Sequence, residues 1–231
     1  MGIKAIIFDF GGTLAKESID REEYNKDVSG LLKNLGYDIE PQEVRDSVSD
    51  AMEWLEEIRR DDIELTFHEI YSKVLSDLKI HSDTVTLEAL SSLYHKRFRV
   101  RLYPCVEDVV KELSTKYKLA IISNTISDVP RVFLTNLGLN KYFEMIVCSS
   151  DLGIRKPDPR IFQYVMSRLD VKPSETFHVG DGLKTDVEGA ARAGIRAVWI
   201  RGLSESRQHE PSLTSVCDLP SLVKKIELED K

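Results

Sequence analysis

No apolar run in this chain approaches the roughly 18 residues needed to cross a bilayer as a helix, so a helical membrane protein is not expected. Cysteine is scarce. Cys105, Cys148 and Cys217 are odd in number, far apart and outside any C-x-x-C spacing. That pattern predicts neither a disulfide framework nor a tetrahedral metal site, and reads as buried free thiols in a reducing compartment. An excess of positive charge is also missing: 32 basic against 39 acidic residues give a formal charge of -7, which argues against a nucleic-acid-binding face. There is no internal repeat and no low-complexity segment, so repeat arrays and long disordered tracts are not expected. The opening Met1-Gly2-Ile3-Lys4 runs into a strand pattern without the cleavage region of a signal peptide, and a cytoplasmic location is expected.

What is present is ordinary in bulk and specific in arrangement. A length of 231 residues suffices for one large domain, or for a core carrying a smaller insertion. A hydrophobic share of 42% beside 31% charged residues fits a soluble globular chain. Short apolar runs recur at Ala5–Phe8, Leu119–Ile122, Met145–Cys148, Phe177–Val179 and Ala197–Ile200. Their hydrophobicity is continuous rather than alternating, which suits strands buried on both faces of a parallel sheet. Between them lie helical patterns, among them Val106, Val109, Val110 and Leu113, and Ile161, Tyr164, Val165 and Leu169. Asp158 and Pro159 read as the cap and first position of the latter helix. The predicted fold class is therefore α/β, a doubly wound parallel sheet of Rossmann-like type.

The stretch from 15 to 100 has a different texture. Four amphipathic patterns follow one another: Val28 to Leu35, Val44 to Ile58, Phe67 to Leu78 and Leu87 to Phe98. They predict a small four-helix bundle inserted after the first strand, with hinges near Ala15–Ser18 and Arg99–Pro104. The expected division is a core of residues 1–14 and 101–231 and an inserted helical unit of 15–100.

Every conspicuous polar cluster falls just past a predicted strand. Asp9 with Gly11-Gly12-Thr13 follows the first, and Ser123-Asn124 follows Ile122. Gly153-Ile154-Arg155-Lys156-Pro157 comes after the Cys148 strand, and Gly180-Asp181-Gly182 with Asp186 follows Val179. Parallel strands bring such loops together at the carboxyl edge, where open α/β sheets bind ligands. Asp9, Asp181 and Asp186 would gather negative charge there, and a hard divalent cation such as Mg²⁺ is the economical way to neutralise it. Lys156, the Ser123 hydroxyl, the Asn124 amide and backbone amides of the glycine turns, Gly12 among them, would hold anionic oxygens. This is the donor set for a phosphoryl group, and a carboxylate can itself attack phosphorus to form an aspartyl-phosphate.

Taken together, Asp9-Phe10-Gly11-Gly12-Thr13-Leu14, Ser123, Lys156 in Gly-Ile-Arg-Lys-Pro-Asp-Pro, and Gly180-Asp181-Gly182-Leu183-Lys184-Thr185-Asp186 resemble the four ordered signatures of the haloacid dehalogenase-like superfamily. The resemblance covers essentially the whole chain, inserted helical cap included. It implies that Asp9 is the nucleophile and that Ser123 and Lys156 bind phosphoryl oxygens, Lys156 also steadying Asp9. It implies that Asp9, Asp181 and the backbone carbonyl of Gly11 ligate Mg²⁺, with Asp186 at the metal directly or through water, and that Thr13 supports the loop.

One position departs from that pattern. Phosphatases of the family usually carry an acid/base aspartate where this chain has Gly11. Its loss removes help typically worth about 10²–10⁴-fold in rate. The ranked expectations are a phosphohydrolase for a small phosphorylated metabolite, then a 2-haloacid dehalogenase using Asp9, then phosphonatase-like chemistry through a cap lysine (Lys33, Lys73, Lys79 or Lys96). A protein that binds metal or phosphate but has lost turnover is the rival of a different class. Lys16 and Tyr37 are the candidates for substrate choice. His178, Trp54 and Trp199 read as packing residues. The expected partner is a small phosphorylated molecule, with no nucleic acid and no membrane, the protein being a monomer or homodimer.

Overall fold

The computed structural model describes residues 2–201 and 209–229. Residues 1, 202–208 and 230–231, assigned to the core from sequence, lie outside the described residues. The chain divides into two compact units, Met1–Lys16 with Arg101–Lys231, and Glu17–Val100.

In chain order the elements begin with β1 (Ala5–Phe8) and β2 (Ala15–Ser18), then α1 (Arg21–Asn34), α2 (Pro41–Ile58), α3 (Phe67–Asp77) and α4 (Thr84–Arg97). There follow β3 (Arg99–Leu102), α5 (Val106–Ser114), β4 (Lys118–Ser123), α6 (Val129–Asn136), β5 (Met145–Cys148) and α7 (Pro159–Leu169). The chain closes with β6 (Thr176–Gly180), α8 (Gly189–Arg192), β7 (Arg196–Ile200), β8 (Ser212–Leu213) and α9 (Leu219–Glu229).

The first unit is built on six parallel strands in the order β5-β4-β1-β6-β7-β8. All four residues of β1 are buried, as continuous hydrophobicity requires of a strand covered on both faces. On one face Ile7, Ala120, Ile122 and Trp199 pack against Phe162 and Val165 of α7. That helix starts where its sequence predicts: the Asp158 carboxylate accepts from the Arg160 amide, and Pro159 takes the first turn, where no amide donor is needed. Strand order reverses about β1, which pairs with β4 on one side and β6 on the other. A doubly wound sheet opens its binding crevice at such a switch point. Asp9, the first residue beyond β1, therefore stands at it.

The second unit holds α1 to α4. Each start has a reason in the sequence. Asp20 and Asp83 accept from the amides three residues on, and Thr66 and Glu69 satisfy one another's amides in a capping box. Phe67, Ile70, Tyr71, Val74 and Leu75 are buried along one stripe of α3, as their spacing predicts.

Two expectations need correction. Residues Ala15–Ser18 and Arg99–Leu102, read as hinge segments without strands, are the strands β2 and β3 and pair with each other. Four-residue strands composed mostly of polar residues, such as Ala-Lys-Glu-Ser, leave no apolar signature to read. Cys105 and Cys217, read as free thiols, form a disulfide with a Cα–Cα distance of 5.7 Å across 112 residues of sequence. Only the folding of α5 and the C-terminal segment against one unit brings them together, and the support that unpaired thiols lent to a reducing compartment is withdrawn. Cys148 stays outside the disulfide and is buried. Strand β8 is too short to have been anticipated. Among the described residues no helix is long and apolar enough to cross a membrane.

Candidate active site

Asp9 leaves β1 with its amide donating to the carbonyl of Val179 at 2.8 Å, which locks the turn after β1 to β6. Its carboxylate is buried. Lys156 Nζ lies 2.7 Å from Asp9 Oδ1 and 2.6 Å from Asp186 Oδ1, although 147 and 30 residues separate these partners in sequence. Asp9 Oδ2 is buried with no hydrogen-bond partner among the described residues. Carboxylate oxygens of Asp9, Asp181 and Asp186 come within 4.8 Å of one another.

Three clustered carboxylates, two of them sharing one ammonium, shape the electrostatics. Burial pushes the Asp9 carboxyl up, and the charges of Asp186 and Asp181 add to this; Lys156 opposes them, and the group settles at about 6. Burial would raise Asp186 too, but Lys156 and His178 outweigh it and hold this carboxyl well below the usual range. Lys156 keeps its proton: the attraction of Asp186 and Asp9 exceeds the cost of desolvation, and its pKa is raised.

A buried carboxylate oxygen without a donor among the described residues, beside two further carboxylates, suits a hard cation, since oxygen ligands and charge neutralisation are both supplied. The residues therefore fit Mg²⁺. The backbone agrees. Gly12 has φ +82°, and a Cβ there would lie 2.0 Å from Asp181 Oδ2, so only glycine lets that carboxylate close on the loop. Similarly, a Cβ on Gly180 would fall 2.3 Å from the Asp186 carboxyl carbon. Asp186 itself sits in a π-helical turn, Leu183–Glu188, a wide local geometry often found at functional sites.

Several residues anticipated as ligands have different partners. The two amide atoms of Asn124 are spent on the Lys156 backbone, Nδ2 donating to its carbonyl and Oδ1 accepting from its amide, both at 2.9 Å. Asn124 thus fixes the loop that carries Lys156, where phosphate contact had been expected. The Gly12 amide donates to the Ala15 carbonyl at 2.8 Å and is not offered to an anion. Asp186 has both oxygens engaged: Oδ1 accepts from Lys156 and from His178, Oδ2 from the Gly182 amide and the Thr185 hydroxyl. Direct metal ligation, one of the two arrangements anticipated for Asp186, would have to displace these donors, whereas contact through water would not. Thr13 is buried and its hydroxyl has no hydrogen-bond partner among the described residues. Ser123 ends β4, buried, in register with Cys148.

Lys16 is an exposed residue of β2. Tyr37 lies in the helical unit, half-buried in the turn after α1, its amide donating to the Leu32 carbonyl. Of the cap lysines, Lys33 pairs with Glu40 at 2.8 Å and Lys73 with Asp77 at 2.8 Å. Ion pairs of that kind match solvated helix faces.

Two residues read as packing do more. The Trp199 indole donates to the Asp181 backbone carbonyl at 2.9 Å. His178, in mid-strand, donates from Nε2 to Asp186 Oδ1 at 2.8 Å. Polar groups in otherwise apolar strands were the available signal, and neither sequence position reveals its partner.

Comparison with known proteins shows the family. A family model described as haloacid dehalogenase-like hydrolase matches residues 3–194. The phosphoserine phosphatase of Thermus thermophilus is 37% identical over 129 residues, 54% of this chain and 52% of that protein, so the match spans about half its length. The glyceraldehyde 3-phosphate phosphatase of Methanopyrus kandleri is 28% identical over 202 residues, covering 86% of this chain and 84% of that one. Among solved structures, a 2-haloacid dehalogenase from Pseudomonas syringae pv. Tomato superposes with a TM-score of 0.68 at 24% identity, covering 97% of this chain and 99% of that chain, a likeness of fold.

Proposed function

The chain belongs to the haloacid dehalogenase-like hydrolases, and from that premise we propose that it hydrolyses small phosphate esters through a phosphoryl group carried on Asp9. The observation that carries this reading is the buried trio of Asp9, Lys156 and Asp186. One oxygen of Asp9 is held by an ammonium, and the other has no donor among the described residues. Asp9 would attack phosphorus, the bond from phosphorus to the leaving oxygen would break, and a water would then cleave the aspartyl-phosphate and regenerate the carboxylate. Lys156, charged and rigidly placed, would offset negative charge on the transferred group and keep Asp9 ionised. Ser123, at the end of β4, and Thr13, in the loop after β1, would serve as further donors. Magnesium, held by Asp9, Asp181 and the carbonyl of Gly11, would supply Lewis-acid stabilisation of the phosphoryl oxygens.

Gly11 sharpens the reading. No carboxyl group stands there to protonate the departing oxygen, so the protein is suited to phosphates whose leaving groups are stable as anions. A haloacid reading is less favoured because the substrate's own carboxylate would meet three others.

The test is hydrolysis of p-nitrophenyl phosphate with MgCl₂, beside phosphoserine and glyceraldehyde 3-phosphate, the substrates named for the two relatives. Turnover should stop with EDTA and with Asp9→Asn. No turnover of any phosphate, with halide released from 2-chloropropionate in EDTA, would overturn the proposal in favour of dehalogenation.

A further inference from the structure

His178 is fully buried in the middle of β6, in register with Ile7 on one side and Ala197 on the other, among apolar side chains. The edge of its ring meets Phe162 of α7 at 5.0 Å between centroids. Nothing in that setting calls for an imidazole. Its Nδ1 is buried without a hydrogen-bond partner among the described residues, a cost a leucine or phenylalanine would not incur. The polar contact it does make is Nε2 to Asp186 Oδ1 at 2.8 Å, and that same oxygen takes Lys156 Nζ at 2.6 Å.

We propose that His178 is a positioning residue of the phosphoryl-transfer reaction, acting through Asp186 to set how Lys156 is divided between Asp186 and Asp9. Lys156 bridges two carboxylates, 2.7 Å from Asp9 Oδ1 and 2.6 Å from Asp186 Oδ1. How strongly Asp186 draws the ammonium depends on how far its charge is met by other donors. The Gly182 amide and Thr185 hydroxyl serve Oδ2, and among the described residues His178 is the donor that shares Oδ1 with Lys156. With that donor removed, Oδ1 has only Lys156 to satisfy it, and the ammonium shifts off Asp9. The nucleophile then loses its orientation and part of its charge compensation. His178 touches neither Asp9 nor any reacting atom, so its effect is transmitted. It enters the relay because β6 ends at Gly180, whose missing Cβ lets Asp186 fold back over the strand.

This inference rests on the phosphohydrolase reading, and the experiment separates the two. Three variants with different reach are compared on p-nitrophenyl phosphate: His178→Leu, His178→Asn and His178→Gln. A glutamine amide nitrogen can extend to where the imidazole Nε2 sits, whereas the asparagine amide stops near Nδ1. Leucine and asparagine should lower kcat about 10- to 100-fold with KM nearly unchanged, and glutamine should recover most of the loss. Equal loss in all three, no loss in any, or a change confined to KM overturns the proposal. Melting curves identify variants that fail to fold. An inactive wild-type protein would sink the phosphohydrolase reading, and the crystal structure of His178→Leu then decides alone. Lys156 Nζ beyond hydrogen-bonding distance of Asp9 Oδ1 supports the relay, and an unchanged pair overturns it.

Discussion

Lys156 Nζ stands 2.7 Å from Asp9 Oδ1, while the other oxygen of that carboxylate is buried with no donor among the described residues. Among the described residues, one half of the carboxylate is thus compensated and the other half is not. The pKa of Asp9 records this imbalance, pushed up to about 6 chiefly by burial.

The imbalance predicts a pH-dependent response to Mg²⁺. Because the native carboxyl titrates higher than an unfolded one, its stabilising contribution is complete in acid and is lost as pH rises through about 6. Only ionised Asp9 can ligate, so Mg²⁺ should raise the melting temperature strongly at pH 7.5 and little at pH 5. At 100 times Kd the gain is about 2.7 kcal/mol, or roughly 5–10 °C for a chain of this size. Asp9→Asn should melt higher than wild type without metal at pH 7.5 and respond weakly to Mg²⁺. Equal Mg²⁺ shifts at the two pH values would refute the account. Asp186, whose pKa is lowered, works in the opposite sense, losing its contribution only in strong acid.

Asn124 gives a second prediction. Its paired bonds tie the loop after β4 to the backbone of Lys156. Asn124→Ala should cut kcat on p-nitrophenyl phosphate about 10- to 100-fold, since two hydrogen bonds that orient the ammonium disappear. A rise in KM alone would instead return Asn124 to the role of a phosphate ligand.

At Gly12 the expectation concerns metal affinity. Gly12→Ala combines a positive φ with a Cβ set 2.0 Å from Asp181 Oδ2. Titration calorimetry should find Mg²⁺ binding weakened by about tenfold or more, backbone strain alone being worth of order 1–3 kcal/mol. Gly30→Ala is the matched control: Gly30 lies exposed in α1 with open space about it. That substitution should stabilise the helical unit by about 0.5–1 kcal/mol and leave metal binding alone.

The Cys105–Cys217 disulfide closes 112 residues of chain. Chain-entropy arithmetic assigns a loop of this length about 4–5 kcal/mol, so reduction should lower the melting temperature by roughly 10 °C or more. Scanning calorimetry with and without dithiothreitol measures this, with Cys217→Ala as the genetic counterpart. Identical melting in both states would mean that folding alone holds the C-terminal segment in place.

Much of this protein is legible without coordinates because the relevant signals are local. Continuous apolar runs mark β1, β4, β5, β6 and β7, and Asp158-Pro159 marks the start of α7. Helical spacing with capping residues marks α1 to α4. A carboxylate, a lysine and two further carboxylates placed after such strands mark the candidate site, since parallel pairing sends those loops to one edge.

What only the tertiary structure decides is which donor meets which acceptor. A motif places Asn124, Gly12 and Asp186 near a ligand, yet hydrogen bonds form over about 3 Å, finer than any sequence pattern resolves. Each of those groups proves to be engaged by a neighbour from elsewhere in the chain or the adjoining turn. The Cys105–Cys217 bond and the contact of His178 with Asp186 have the same origin. Proximity created by folding leaves no trace in spacing, and side-chain geometry then selects the partner.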